Sequence, residues 1–256
     1  MTALPEHQTT SLCTSTADDV WIRDKSLCRE LLGKVTFTEL LYFQILGKTP
    51  SKPVVELVDA CLVTLMEHGL TPSALTTRLV YSSAEEAMQA AVAAGLLCVG
   101  SRFVGTTEGA GELLERILAA GDVDAEARRV AVEFKTGKEA LPGFGHPFHK
   151  PDDPRSIRLL ALAREKGVAG RHVAAVEALS RAVDETYGKH ITLNATGAVA
   201  AVLGDCGVPR DILRGFAIIA RAAGLVGHVH EEQHKPAMRA IWEAGENAVP
   251  YDGKSG

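Results

Sequence analysis

The residues best suited to chemistry in this 256-residue chain gather in one run, Leu141-Pro-Gly-Phe-Gly-His146-Pro-Phe-His-Lys-Pro-Asp-Asp-Pro-Arg155. Gly143 and Gly145 let the backbone take positive φ and approach a ligand, while Pro142, Pro147, Pro151 and Pro154 stiffen the chain around them. Such a loop holds His146 still and presents Arg155 after an Asp-Pro corner. A fixed neutral imidazole can polarise a carbonyl or move a proton, and a guanidinium can grip a carboxylate through two parallel bonds. The pair reads as a site for an anionic carbonyl compound or hydroxy acid. Taken alone, the same residues also describe a Pro/Gly-rich surface loop with incidental charges.

Other polar residues stand out against apolar surroundings. Arg221 lies in a nearly all-apolar helical stretch, where an unpaired buried guanidinium costs several kcal/mol, so either a function or a buried ion pair must explain it. His68 closes a helix at His68-Gly69 and is either a site residue or a simple helix cap. His228 and His230 with Glu231 have the residue types of metal ligands, but a lone H-x-H on an apolar helix is more often a polar end reaching a carbonyl. No metal is expected. The five cysteines are widely spaced, odd in number and form no C-x-x-C pair, which argues against a disulfide framework or metal knuckle. They predict a reducing, cytoplasmic setting and mostly buried thiols.

The elements that position these residues are predicted to be helical. Apolar positions Val54, Val55, Leu57, Val58, Cys61, Leu62, Leu65 and Met66 follow helical spacing up to the glycine stop. Further helical patterns cover about 84–97, 108–120, 125–136, 156–166, 172–187, 197–203, 210–230 and 236–243, and alternating strand-like runs are nearly absent. Ala- and Gly-rich stretches such as Ala87–Gly95 and Ala217–Gly227 permit close helix contact. The fold class is therefore all-α. The net charge of −5, with Lys and Arg scattered rather than gathered on a stripe, gives no sign of a nucleic-acid surface. The Ser/Thr-rich first twenty residues lack the basic start and apolar core of a signal peptide, and read as a loosely ordered tail. No stretch approaches the ~20 uncharged apolar residues of a membrane span, so a soluble chain is expected.

The motifs in order resemble the citrate synthase superfamily. Lys34-Val-Thr-Phe-Thr-Glu39 and Leu46-Gly47-Lys-Thr-Pro50 look like its opening; His68, Gly143-Phe-Gly-His146 with Arg155, Leu193-Asn-Ala-Thr-Gly197 and Arg221 through His228 follow as its site motifs. Gly100-Ser-Arg-Phe103-Val-Gly105 with Glu108-Gly-Ala110 is similar to the short citryl-CoA lyase branch, which includes the lyase module of ATP-citrate lyase; Phe103 stands where synthases carry a histidine. The resemblance implies a citrate-synthase-like two-domain helical fold. Residues 1–107 and 211–256 would form the large domain, with 1–20 as the tail, and 108–210 a small coenzyme-A-binding domain; a homodimer or dimer of dimers would result.

It further implies that His146 contacts the substrate carbinol or carbonyl oxygen. His68, Arg155 and Arg221 would hold a carboxylate-bearing part beside Phe103, and Leu141, Gly143, Phe144, Gly145 and Lys150 would cradle coenzyme A. Two positions depart from the family. Thr196 stands where its catalytic aspartate lies in N-V-D-G, and Thr196 cannot be a general base at neutral pH. Trp242 stands where an arginine reaches into the partner's site, which favours a substrate with one fewer carboxylate. Glu108, beginning a helix at the mouth of the same cleft, either replaces the missing acid or is an acidic residue favoured by the helix dipole.

The function implied is a carbon–carbon lyase that cleaves a 3-hydroxyacyl-CoA, citryl-CoA or a relative, into an acyl-CoA and a keto acid, or runs the reverse condensation. A catalytically weak CoA-ester-binding homologue and a CoA thioester hydrolase are the alternatives. The ligands implied are a CoA thioester and a keto acid, with neither nucleic acid nor membrane.

Overall fold

The structure is a computed structural model that describes residues 8–100 and 104–253. The chain separates into two compact units, Met1–Asp59 and Ala60–Gly256. In the first, β1 (Cys13–Ser15), β2 (Val20–Ile22) and β3 (Lys25–Ser26) pair antiparallel, with Cys13 opposite Ile22 and Trp21 opposite Ser26. The expected loose tail is therefore corrected for residues 13–15, which are ordered by backbone pairing that no apolar alternation announces.

Asp19 anchors this hairpin. Its buried carboxylate accepts the Ser26 hydroxyl at 2.5 Å and the Val20 and Cys28 N–H groups, and these bonds, the Ser26 one foremost, outweigh burial and hold its pKa down to about 2. Helix α1 (Phe37–Leu46) opens with a capping box between Thr36 and Glu39 and stops at Gly47 in the left-handed region.

Helix α2 (Lys52–Met66) crosses from one unit to the other. The second unit then runs α3 (Pro72–Ser83), α4 (Met88–Leu97), α5 (Thr106–Ala119), α6 (Val123–Gly137), α7 (Pro154–Glu165), α8 (Arg171–Tyr187), α9 (Ala195–Asp205), α10 (Leu213–His234) and α11 (Met238–Ala248). The apolar periodicity misses α3 because its inward stripe, Ala74, Thr77, Arg78 and Tyr81, is half polar. Proline at its first turn starts it, where a missing N–H costs nothing. Almost every side chain of α9 is buried, and α5, α7 and α8 pack around it; α10 packs against α3, α4 and α5.

Residues Arg210–His234 are long and apolar enough, by composition, to cross a membrane, contrary to the expectation that no stretch comes near this. Within the fold the segment is a core helix: Leu213, Phe216, Leu225 and Val229 are buried in protein, as are Arg221 and Glu232. None of the five cysteines is in a disulfide, but only Cys61 and Cys206 are buried, while Cys13 and Cys28 are exposed. The expectation of mostly buried thiols fails at Cys13, which lies in β1 within the stretch read as a tail, and at Cys28, which follows β3.

Candidate active site

The 141–155 loop is built onto the start of α9. The backbone of Gly145 donates to Thr192 O at 2.7 Å, Asn194 N–H donates to Gly143 O at 2.9 Å, and the Asn194 side chain donates to Gly145 O at 2.9 Å. Two backbones meet here. A Cβ on Gly143, at φ +85°, would lie 2.9 Å from Gly197 Cα, and one on Gly197 would lie 2.8 Å from Gly143 O. Glycine is therefore required at both positions, and the pair brings the histidine loop against the helix that carries Thr196.

Asp153 locks the far end of the loop. Fully buried, its Oδ1 accepts the Arg155 backbone N–H and Nε at 3.0 Å each, and its Oδ2 accepts Arg155 Nη2 at 2.7 Å and the Ala195 N–H at 3.0 Å. Burial pushes this carboxyl up, but the Arg155 bonds and charge and the two backbone donors outweigh it and hold it below the usual range. One carboxylate thus starts α7, aims the guanidinium and ties both to α9.

His146 Nδ1 accepts the backbone N–H of Phe148 at 3.1 Å and of His149 at 2.9 Å. A nitrogen that accepts two amide protons carries none itself, so the neutral ring bears its proton on Nε2. Arg155 Nη2 lies 3.4 Å from that Nε2. Two donors therefore converge on one spot and call for an acceptor oxygen between them. Burial first, then His149, lower the His146 pKa; Asp153 opposes them, and Arg155 and His68 add smaller pushes in the lowering direction, which favours the neutral ring near pH 7. The imidazole also braces the loop, a role that glycine and proline were expected to fill alone.

His68 joins this group. Its Nε2 lies 3.2 Å from His149 Nε2, and its ring meets His146 edge-on at 5.2 Å, while the His146 and His149 rings lie 4.4 Å apart. Burial and Arg155 lead the causes that lower the His68 pKa. The three histidines offer nitrogens within 4.8 Å of one another, close enough to share one ion. The His146 ring fits that poorly, since its Nδ1 is committed to amides and its Nε2 is protonated. His149 is the site residue that sequence reasoning left unassigned; its signal was the H-x-x-H spacing from His146.

Arg221 reaches the same neighbourhood from α10, 4 % exposed. It donates to Leu65 O at 3.1 Å and Thr71 Oγ1 at 3.3 Å, lies 3.9 Å from Glu67, and leaves Nε without a partner. Burial lowers its pKa, Glu67 opposes this, and Arg155 adds to it. Glu67 also faces His228 Nε2 at 2.8 Å, and His228 Nδ1 accepts from Arg78, which pairs with Glu231 and with buried Glu232. His228 thus sits in a network of charged side chains, and neither expected role, metal ligand or polar end on a backbone carbonyl, describes it.

The remaining candidates fall elsewhere. Thr196 Oγ1 donates to Asn194 Oδ1 at 2.7 Å and meets Thr106 Oγ1 at 2.8 Å, so a neutral hydrogen-bond chain occupies the expected place of a carboxylate. Glu108 pairs with Arg214 at 2.7 Å rather than with the histidines. Trp242 is exposed on α11, where its indole N–H donates to Glu246 and Arg239 lies over its ring. Phe103 lies outside the described residues. Leu141 and Gly143 are buried, and Gly143 packs against Gly197 and Ala110, so both shape the loop from within; Gly145 and Lys150 are exposed and Phe144 is half-buried.

The family model for the citrate synthase C-terminal domain matches residues 23–242. The chain belongs to the citrate synthase family. It is 30% identical over 187 residues to a putative citrate synthase 2 of Mycobacterium tuberculosis, covering 72% of this chain and 49% of that protein, so it spans about half the length of such curated relatives. The structure of a citryl-CoA lyase from Hydrogenobacter thermophilus matches with a TM-score of 0.86 and 30% identity over 97% of this chain and 96% of that one. An ATP citrate lyase from Methanosaeta concilii, solved with (3S)-citryl-CoA, shares the fold at a TM-score of 0.79 and 18% identity, over 99% of this chain and 43% of that one.

Proposed function

We propose that this citrate synthase family member is a citryl-CoA lyase-like carbon–carbon lyase, cleaving a 3-hydroxyacyl-CoA, citryl-CoA or a relative, into an acyl-CoA and a keto acid, or running the reverse condensation. The observation that carries this reading is the convergence of His146 Nε2–H and Arg155 Nη2 on one acceptor position. A carbinol or ketone oxygen is the acceptor such a pair suits: the imidazole polarises it and the guanidinium balances the charge that develops. Arg221, with a free Nε, adds a grip for a carboxylate on the same fragment. The near-equal length and 30% identity of the Hydrogenobacter lyase support the choice of reaction.

Coenzyme A enters this reading as part of the substrate. The open space around Gly145 and the exposed Lys150 suit an approaching pantetheine and a phosphate. Residues 108–210 form the small, CoA-binding domain in this proposal, supported by the mutual packing of α5, α6, α7, α8 and α9, and the cleft closes over the ligand. A cytoplasmic homodimer completes it, supported by five cysteines that form no disulfide and by exposed apolar residues such as Leu97 and Val226. Trp242, in place of an arginine, favours a substrate with one carboxylate fewer than citrate.

Incubation with citryl-CoA and a panel of 3-hydroxyacyl-CoA esters, followed by mass spectrometry, tests the reading. A keto acid product supports it. Free CoA with an intact hydroxy acid identifies a thioester hydrolase, and no product from any ester identifies a CoA-ester binder.

A further inference from the structure

We propose that His149, paired with His68, is the general base that takes the substrate's hydroxyl proton in a site where Thr196 leaves no carboxylate; the inference rests on the lyase reading above. Among the described residues, Glu67, His68, His146, His149 and Asp153 are the proton-exchanging groups of this site. Asp153 is spent on four donors. Glu67 accepts the backbone N–H groups of His68 and Gly69 and faces His228 and Arg221. His146 is a donor, because its Nδ1 is held by two amides. Elimination leaves the pair formed by His68 and His149.

The geometry of that pair supplies a base. At 3.2 Å a single proton lies between the two Nε2 atoms. When both rings are uncharged, the ring that donates this proton keeps a bare Nδ1, so the pair always holds one lone pair ready for a proton. The His149 ring is the one packed closer to His146, with ring centres 4.4 Å apart against 5.2 Å for His68. Burial first, then Arg155, His149 and Arg221, act against positive charge on His68, while Asp153 opposes them.

The step balances without a co-reactant other than water. The hydroxyl proton passes to the histidine pair, the oxygen becomes the carbonyl of the keto acid, and the Cα–Cβ bond breaks. Its electron pair becomes the thioester enolate, which takes a proton from water on carbon, and the pair returns its own proton to solvent. Arg155, Arg221, Asp153 and His146 face the pair. The acid limb of the rate profile therefore reports the protonation of this pair.

The test uses the wild-type chain, His149→Gln, and His149→Ala with and without added imidazole, all checked for fold by circular dichroism. On an ester that the wild type cleaves, His149→Gln should lose about 10²–10⁴-fold in kcat. Its affinity for oxaloacetate and for coenzyme A should stay within a few-fold, the acid limb should vanish, and imidazole should restore His149→Ala. Unchanged kcat and acid limb in His149→Gln overturn the proposal while leaving the lyase reading intact, as does a loss of kcat matched by lost ligand affinity and no imidazole rescue. A wild type inactive on every ester overturns the lyase reading, and this inference with it.

Discussion

Replacing Asp153 by Asn should destabilise the protein by about 2–4 kcal/mol without changing side-chain volume. The two oxygens of Asp153 each accept two donors, and Asn has one oxygen. In one amide orientation the Ala195 N–H and Arg155 Nη2 lose their acceptor; in the other, the Arg155 N–H and Nε do. Either way one backbone N–H and one guanidinium N–H face a donor. The backbone N–H that loses its acceptor costs ~1–3 kcal/mol. Arg155 is about a quarter exposed and can turn toward water, so its share is nearer ~1 kcal/mol.

At this chain length the sum lowers Tm by roughly 4–16 °C. The pH dependence has a defined sign. A carboxyl held low in the folded state contributes stability above its unfolded pKa, near the ordinary 3.8, and that contribution is lost as pH falls through the lower folded value. The wild type should therefore lose its advantage over Asp153→Asn in that acid range. Thermal melts of both proteins from neutral to acid pH read this directly. Equal Tm at neutral pH would refute the idea that this carboxylate ties the loop to α9.

Four further outcomes follow from the same geometry. His146→Asn, which keeps an acceptor for the loop amides, should lower turnover by ~10²–10⁴-fold with little change in Tm, and full activity on an established substrate would remove His146 from the chemistry. Arg221→Leu should weaken keto-acid binding about tenfold to a hundredfold while sparing coenzyme A, as judged by calorimetry on each ligand alone; equal losses would make it a purely structural residue. Arg78→Met should cost ~3–5 kcal/mol in denaturant unfolding, because Glu232, 1% exposed, keeps a charge with no cation beside it. Thr196→Asp should raise citryl-CoA cleavage measured by oxaloacetate release, and no gain alone or with Trp242→Arg would mean the site is rebuilt for another ligand.

Much of this protein was legible in its sequence because helices advertise themselves through local periodicity. The segments read as helices around 54–66, 125–136, 172–187 and 210–230 all fold as such, since each has an apolar stripe, a cap or a glycine stop within its own few turns. The loop glycines and prolines likewise announced a rigid presentation of His146, and the motif order carried the family. Where the stripe is polar, as on α3, or where pairing rests on backbone bonds, as in the 13–26 hairpin, local pattern carries no signal.

The roles of individual polar residues needed the tertiary structure, because a side chain's chemistry depends on which of its atoms is already engaged. His146 is a donor because two amides occupy its Nδ1, and His149 matters because a residue 81 positions away places a nitrogen 3.2 Å from its own. Glu108 is taken by Arg214 from another helix, and Thr196 by Thr106 and Asn194. Residue type and spacing along the chain determined which groups were available; contacts between residues far apart in sequence decided the protonation, partner and direction of each.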